Sequence, residues 1–126
     1  MGERLGTILV VDDVETVLTV TRRLLERIGW RVVTASTGVE AVRHCQELHA
    51  LSAVLLDGTL LDLSGEETLA RIRAVAPELP VVIMTGDEPE QARARFSPHG
   101  VRDIVSKPFR PTHIESALAP FSSTVA

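Results

Sequence analysis

ILVVDD, residues 8–13, is a short aliphatic run that stops at two adjacent aspartates. Consecutive aliphatic residues without polar alternation suit a strand covered on both faces, as strands of a parallel sheet are. Runs of the same kind return at Val32 to Ala35, Ala53 to Leu56, Val81 to Met84 and Val101 to Val105. Amphipathic stretches separate them. Val14, Val17, Leu18, Thr21, Leu24, Leu25 and Ile28 follow helical spacing and form a stripe that can cover one sheet face, and Gly29 stops that helix. Thr37 with Glu40, and Ser64 with Glu67, have the spacing of capping boxes at the starts of the second and third helices. Ala41, Val42, Cys45 and Leu48 then share one side of the second helix, and Leu69, Ile72 and Val75 face in from the third. Pro89 and Pro111 suit the first turns of the fourth and fifth helices. The fourth has a thin apolar face, Ala92 and Phe96. Strands alternating with helices imply parallel strands, right-handed crossovers and a three-layer α/β sandwich.

The totals agree with one such unit. The chain has 126 residues, 44% of them apolar, which is the size of one domain with one buried core. A net charge of −4 and a single lysine, Lys107, exclude nucleic-acid binding driven by phosphate charge. The apolar runs are far too short to span a membrane, and MGERLGT lacks the apolar stretch of a signal peptide. Cys45, the one cysteine, reads as a small apolar helix residue. A cytoplasmic protein is expected, with residues 1–126 forming a single domain and no output domain.

Ligands of such folds bind outside the carboxyl ends of the strands, where the strand order reverses. Asp12 and Asp13 end the first strand, Asp57 the third and Thr85 the fourth, while Lys107 and Pro108 follow the fifth. Singly, each is unremarkable: Asp13 could cap a helix, and Asp57-Gly58 or Thr85-Gly86 could be turns. Together they would place three carboxylates, one hydroxyl and one ammonium in one cleft. Like charges about 4 Å apart repel by roughly 4 kcal/mol at an effective dielectric near 20. The cluster must therefore take up protons or a cation. Mg²⁺ suits hard oxygen ligands and binds substrate phosphate. An exposed carboxylate beside such an ion can form an acyl phosphate.

The combination resembles the receiver domain of bacterial two-component response regulators, over Ile8 to about Leu118. ILVVDD (8–13), VLLDGTLLDLSG (54–65), VVIMTG (81–86) and GVRDIVSKPF (100–109) are similar to that family's four motifs, in order and at matching spacing. The resemblance implies a flavodoxin-like (βα)5 fold with strand order 2-1-3-4-5. It implies Asp57 as phosphoacceptor in phosphorelay signal transduction, and Mg²⁺ (or Mn²⁺) held by Asp12, Asp13, Asp57 and the main-chain carbonyl of Thr59. Thr85, Gly86 and Lys107 would bind the phosphoryl group and switch, with a cis bond before Pro108. Thr59 and Asp87 would tune dephosphorylation.

The donor would be a phosphohistidine of a sensor histidine kinase or a histidine phosphotransfer protein. His44, His49, His99 and His113 do not sit where a donor should and read as surface or helix residues. Output would run through the surface of helix 4, strand 5 and helix 5, a face that could also make a homodimer. No membrane or nucleic-acid contact is expected, and no enzyme activity beyond self-phosphorylation and autodephosphorylation. A stand-alone receiver and a segment of a larger regulator or hybrid kinase both fit. Three positions depart from the family. Leu61 replaces a proline, which implies a less rigid loop. Ile104 stands where a switching aromatic ring is common. Gly86 replaces the usual alanine. Two other classes remain: an interaction module of the same fold that is never phosphorylated, and a phosphohydrolase with an aspartyl nucleophile. Haloacid-dehalogenase-like hydrolases space their two aspartates two apart, which Asp12-Asp13-Val14 does not match.

Overall fold

A computed structural model describes residues 5–122. Five strands, β1 (Thr7–Val11), β2 (Arg31–Ala35), β3 (Ala53–Asp57), β4 (Val81–Thr85) and β5 (Asp103–Ser106), alternate with five helices. These are α1 (Glu15–Ile28), α2 (Gly38–Glu47), α3 (Gly65–Val75), α4 (Pro89–Phe96) and α5 (Pro111–Leu118). All neighbouring strands pair in parallel, in the order β2-β1-β3-β4-β5.

Alternate residues of the strands point to opposite faces and so build two cores. Leu9, Val11, Val54, Leu56, Val81 and Ile83 pack with Ala41, Cys45, Leu69, Ile72 and Phe96 from α2, α3 and α4. Ile8, Val10, Leu55, Val82 and Met84 pack with Leu25, Trp30, Ile114, Ala117 and Leu118 on the side of α1 and α5. β3 and β4 are buried along their whole length, whereas β2 and β5, at the sheet edges, are half-buried. The fourth helix's two apolar residues, Ala92 and Phe96, are both buried. Burial pushes the Cys45 thiol up to about 11, so it stays protonated as a small apolar side chain. Among the described residues, no helix is long and apolar enough to cross a membrane.

Local chemistry sets the helix ends. Thr37 and Ser64 accept the N–H groups of Glu40 and Glu67, each at 3.0 Å. The reciprocal arm from Glu40 goes one residue further back, to the N–H of Ser36 at 2.9 Å. Gly29, at φ 126°, takes a conformation that a side chain would resist, and it ends α1.

Four expectations are corrected. Val14, counted in the stripe of α1, is exposed, and the alternative that Asp13 caps that helix falls with it. The capping position is Val14, and its N–H is taken by the Asp12 carboxylate at 2.9 Å. Val75, at the end of α3, is exposed rather than facing in. Leu48 likewise turns outward, as the residue that closes α2. β5 begins at Asp103 rather than Val101. A turn over Ser97–His99 closes on Gly100 at φ 74°, the Arg102 N–H reaches the Val81 carbonyl at 2.9 Å, and the strand register with β4 runs from Asp103 opposite Val82.

The loop from β3 to α3 is held by close backbone approach. A Cβ on Gly65 would lie 2.6 Å from the carbonyl oxygen of Gly58, a backbone atom with nowhere to go. A Cβ on Gly86 would meet nothing within 4 Å, and Gly86 has no positive φ. Gly65→Ala is therefore expected to destabilise by about 1–3 kcal/mol, the cost of overpacking. Gly86→Ala should be neutral or stabilising by about 0.4–1 kcal/mol, through loss of unfolded-chain entropy. Urea unfolding of the two variants checks the contrast.

Candidate functional site: an acidic cleft at the sheet's switch point

The strand order reverses between β1 and β3, which are adjacent and end side by side. This places Asp12, one residue past β1, beside Asp57, the last residue of β3. Asp12, Asp13 and Asp57 each offer a carboxylate oxygen within 4.8 Å of the others. Asp12 is fully buried, Asp57 is 6% exposed and Asp13 is half-buried.

The two buried carboxylates are engaged differently. Asp12 has both oxygens occupied, one by the N–H of Val14 and the other by the Lys107 ammonium at 3.0 Å. Asp57 accepts the N–H of Thr59 at 3.2 Å on Oδ1, which also lies 3.5 Å from Lys107 Nζ. Its Oδ2 takes no hydrogen bond among the described residues. Burial raises the Asp57 pKa above the ordinary carboxylate value. Lys107 and the Thr59 N–H oppose the rise, and the neighbouring Asp12 charge adds to it. One ammonium thus leaves the carboxylates undercompensated. Three carboxylates, with Asp57 Oδ2 and the Asp13 oxygens free of hydrogen bonds among the described residues, fit a divalent cation.

Asp13, Val14, Asp57, Thr59, Leu61, Gly86 and Lys107 line an open cleft of about 450 Å³. Lys107 reaches it from a turn fixed by the cis peptide bond to Pro108, with its N–H donated to the carbonyl of Thr85 at 2.8 Å. Leu61 is 92% exposed at the rim. Thr85 ends β4 but is buried; its hydroxyl accepts the N–H of Asp87 at 3.0 Å, and Gly86 forms the cleft wall there. Ile104 is half-buried against the core on the α4 side. His44 lies on α2 and His113 on α5, with His99 in the turn after α4 and His49 exposed after α2. None of the four lines the cleft.

Residues 8–119 match the family model of the response regulator receiver domain. The chain belongs to the response regulator receiver domain family. The receiver is 33% identical over 111 residues to the alkaline phosphatase synthesis transcriptional regulatory protein PhoP of Bacillus subtilis, covering 88% of this chain and 46% of that protein. It is 35% identical over 104 residues to the CAI-1 autoinducer sensor kinase/phosphatase CqsS of Vibrio cholerae, covering 80% of this chain and 15% of that one. The receiver therefore spans less than half the length of these curated relatives. A response regulator receiver domain protein of Clostridium thermocellum superposes with a TM-score of 0.86 at 29% identity, covering 93% of this chain and 94% of that one. The receiver domain of a Pseudomonas aeruginosa sensor histidine kinase superposes with a TM-score of 0.84 at 27% identity, covering 92% and 96%. That structure holds a magnesium ion coordinated in its active-site cleft.

Three residues around the receiver's cleft escape sequence reasoning. Asp62 accepts the N–H groups of Gly38 and Val39 at 2.8 and 3.0 Å, tying the loop after Asp57 to the start of α2. These backbone donors outweigh burial and hold the Asp62 carboxyl below its ordinary range. The loop that lacks proline at Leu61 is thus anchored one residue later. Arg95 and Glu66 form a bidentate pair at 2.9 and 2.8 Å. Their partners lie 24 and 29 residues away in the chain, so no local spacing betrays them.

Two outcomes follow from these charges. Asp57→Asn should stabilise the metal-free protein on the order of 1 kcal/mol, since it removes a buried charge that Lys107 and the Thr59 N–H do not fully offset. Thermal unfolding in chelator checks it; a loss of stability would contradict the frustrated cluster. The Arg95 hydrogen bonds hold Glu66 at about 2, down from 4.5. A depressed folded pKa contributes stability that is present above the unfolded value and lost as the carboxylate protonates. Arg95→Met should therefore lower the thermal midpoint at neutral pH, and its difference from wild type should shrink as pH falls from 4.5 toward 2.

Proposed function

We propose that the chain acts as one receiver unit whose Asp57 accepts a phosphoryl group from a phosphohistidine of a sensor histidine kinase or histidine phosphotransfer protein. The observation that carries this is the unengaged Asp57 Oδ2 in a cleft where three carboxylates share one ammonium. An Asp57 oxygen forms a bond to phosphorus as the P–N bond of the donor breaks. The imidazole nitrogen leaves with the bonding electrons and takes a proton.

Asp12, Asp13, Asp57 and the Thr59 carbonyl would hold Mg²⁺ (or Mn²⁺), in keeping with the magnesium in the similar Pseudomonas receiver. The bound ion supplies positive charge to the transferring phosphoryl oxygens. Lys107, already between Asp12 and Asp57, pairs with the same oxygens. The raised pKa of Asp57 reflects burial that Lys107 and the Thr59 N–H do not fully offset. Thr85 donates its hydroxyl to the phosphoryl group, and Gly86, open on all sides, lets the loop follow. Thr59 and Asp87 set the rate at which water returns the site to its resting state. Output leaves through α4, β5 and α5, the face that would also carry a homodimer.

Incubation with acetyl phosphate should label the protein only when Mg²⁺ is present, and Asp57→Asn should abolish the label. Labelling of Asp57→Asn at the wild-type level would sink the assignment.

A further inference from the structure

Outside the acidic cleft, the densest set of polar contacts gathers on Arg95 of α4. Its Nε and Nη2 grip both oxygens of Glu66 in the first turn of α3. Nη2 also donates to the carbonyl of Gly58, the residue after Asp57, at 3.1 Å. Nη1 donates to Asp87, two residues past Thr85. One guanidinium thus joins α4 to both loops that flank the phosphoacceptor. The next residue, Phe96, is fully buried against the same loop; a Cβ on Gly58 would lie 2.9 Å from its ring.

The loop from Thr85 to Asp87 is in a definite shape. The Thr85 hydroxyl is buried and accepts the Asp87 N–H, and Gly86 rather than Thr85 lines the cleft. Turning that hydroxyl onto a phosphoryl group at Asp57 requires residues 85–87 to rearrange. Asp87 is held in place from its other end by Arg95. A contact made in one conformation and lost in the other biases the equilibrium by its own worth. Ile104 carries no ring, and the Arg95–Asp87 pair links residues 85–87 to α4 directly.

We propose that Arg95 is a positioning residue acting through Asp87: the Arg95–Asp87 pair holds the 85–87 loop in its unphosphorylated shape, and its release carries phosphorylation from Thr85 to α4. The inference rests on Asp57 as phosphoacceptor. Arg95 keeps its fork on Glu66 throughout, so α4 stays tied to α3 while Asp87 leaves.

The test is beryllofluoride binding with Mg²⁺, measured by calorimetry, which mimics phosphorylation without hydrolysis. Arg95→Met and Asp87→Asn should each tighten binding roughly two- to fivefold, the span expected when a partly exposed ion pair no longer opposes the shift. The double variant should bind no tighter than Arg95→Met, because that change already removes the contact that Asp87→Asn removes. Arg95→Lys, which keeps a cation for Asp87 but not the fork, should return affinity toward wild type. Unchanged or weaker binding in both single variants, or additive tightening in the double one, overturns the proposal. Asp87→Asn lies on a loop and reports on the pair even if Arg95→Met fails to fold. Wild type that neither binds beryllofluoride nor labels would instead sink the underlying reading, and this one with it.

Discussion

Three carboxylates converge on one point because β1 and β3 are parallel neighbours that end together, and their mutual repulsion is the constraint on which the site depends. The adjacency is fixed by two hydrophobic faces, not by the acids. Ile8 and Val10 anchor one side and Leu9 and Val11 the other, so the strand cannot slip without exposing a core. The sheet thus holds Asp12 and Asp57 close at the cost of electrostatic energy, and Lys107 only partly offsets that cost. Stability stored in apolar packing thus holds the carboxylates where positive charge is favoured.

The loops around the cleft are held by polar contacts that cross the structure. Asp62 fastens the loop after Asp57 to the amide end of α2, and Gly65 lets that loop pass against the start of α3. Arg95 fastens the loop after Thr85 and the Gly58 carbonyl to α4. The two anchors differ in kind. Asp62 binds backbone groups at the start of a helix, whereas Arg95 shares one guanidinium between a helix partner, Glu66, and a loop partner, Asp87.

What the sequence made legible was local. Aliphatic runs located the strands, and the acid, hydroxyl and lysine positions followed from where those runs end. The Thr37 and Ser64 caps were readable because their partners lie three residues on. Val101 misled the reading of β5: it packs on the core, yet it lies between the turn that closes on Gly100 and the strand that starts at Asp103. Val75 kept the helical spacing but fell at the last residue of α3, past the sheet's cover. Asp62, Glu66 and Arg95 were invisible because an exposed-looking charge on a polar face acquires its role only from partners brought near by folding. Leu61 showed the opposite failure, since the loss of a rigid residue was visible but the Asp62 anchor beside it was not.

Asp57 differs from each neighbour. Asp12 has both oxygens engaged, and Asp13 stands half-buried with no hydrogen bond to its carboxylate among the described residues, whereas Asp57 is buried beside Lys107 and keeps Oδ2 free. The account therefore assigns the acyl phosphate to one carboxylate out of three. Borohydride reduction of acetyl-phosphate-treated protein, followed by peptide mass mapping, reads that assignment directly, because a reduced aspartyl phosphate becomes homoserine. The account predicts homoserine at position 57 alone; homoserine at position 12 or 13 with residue 57 unmodified would contradict it.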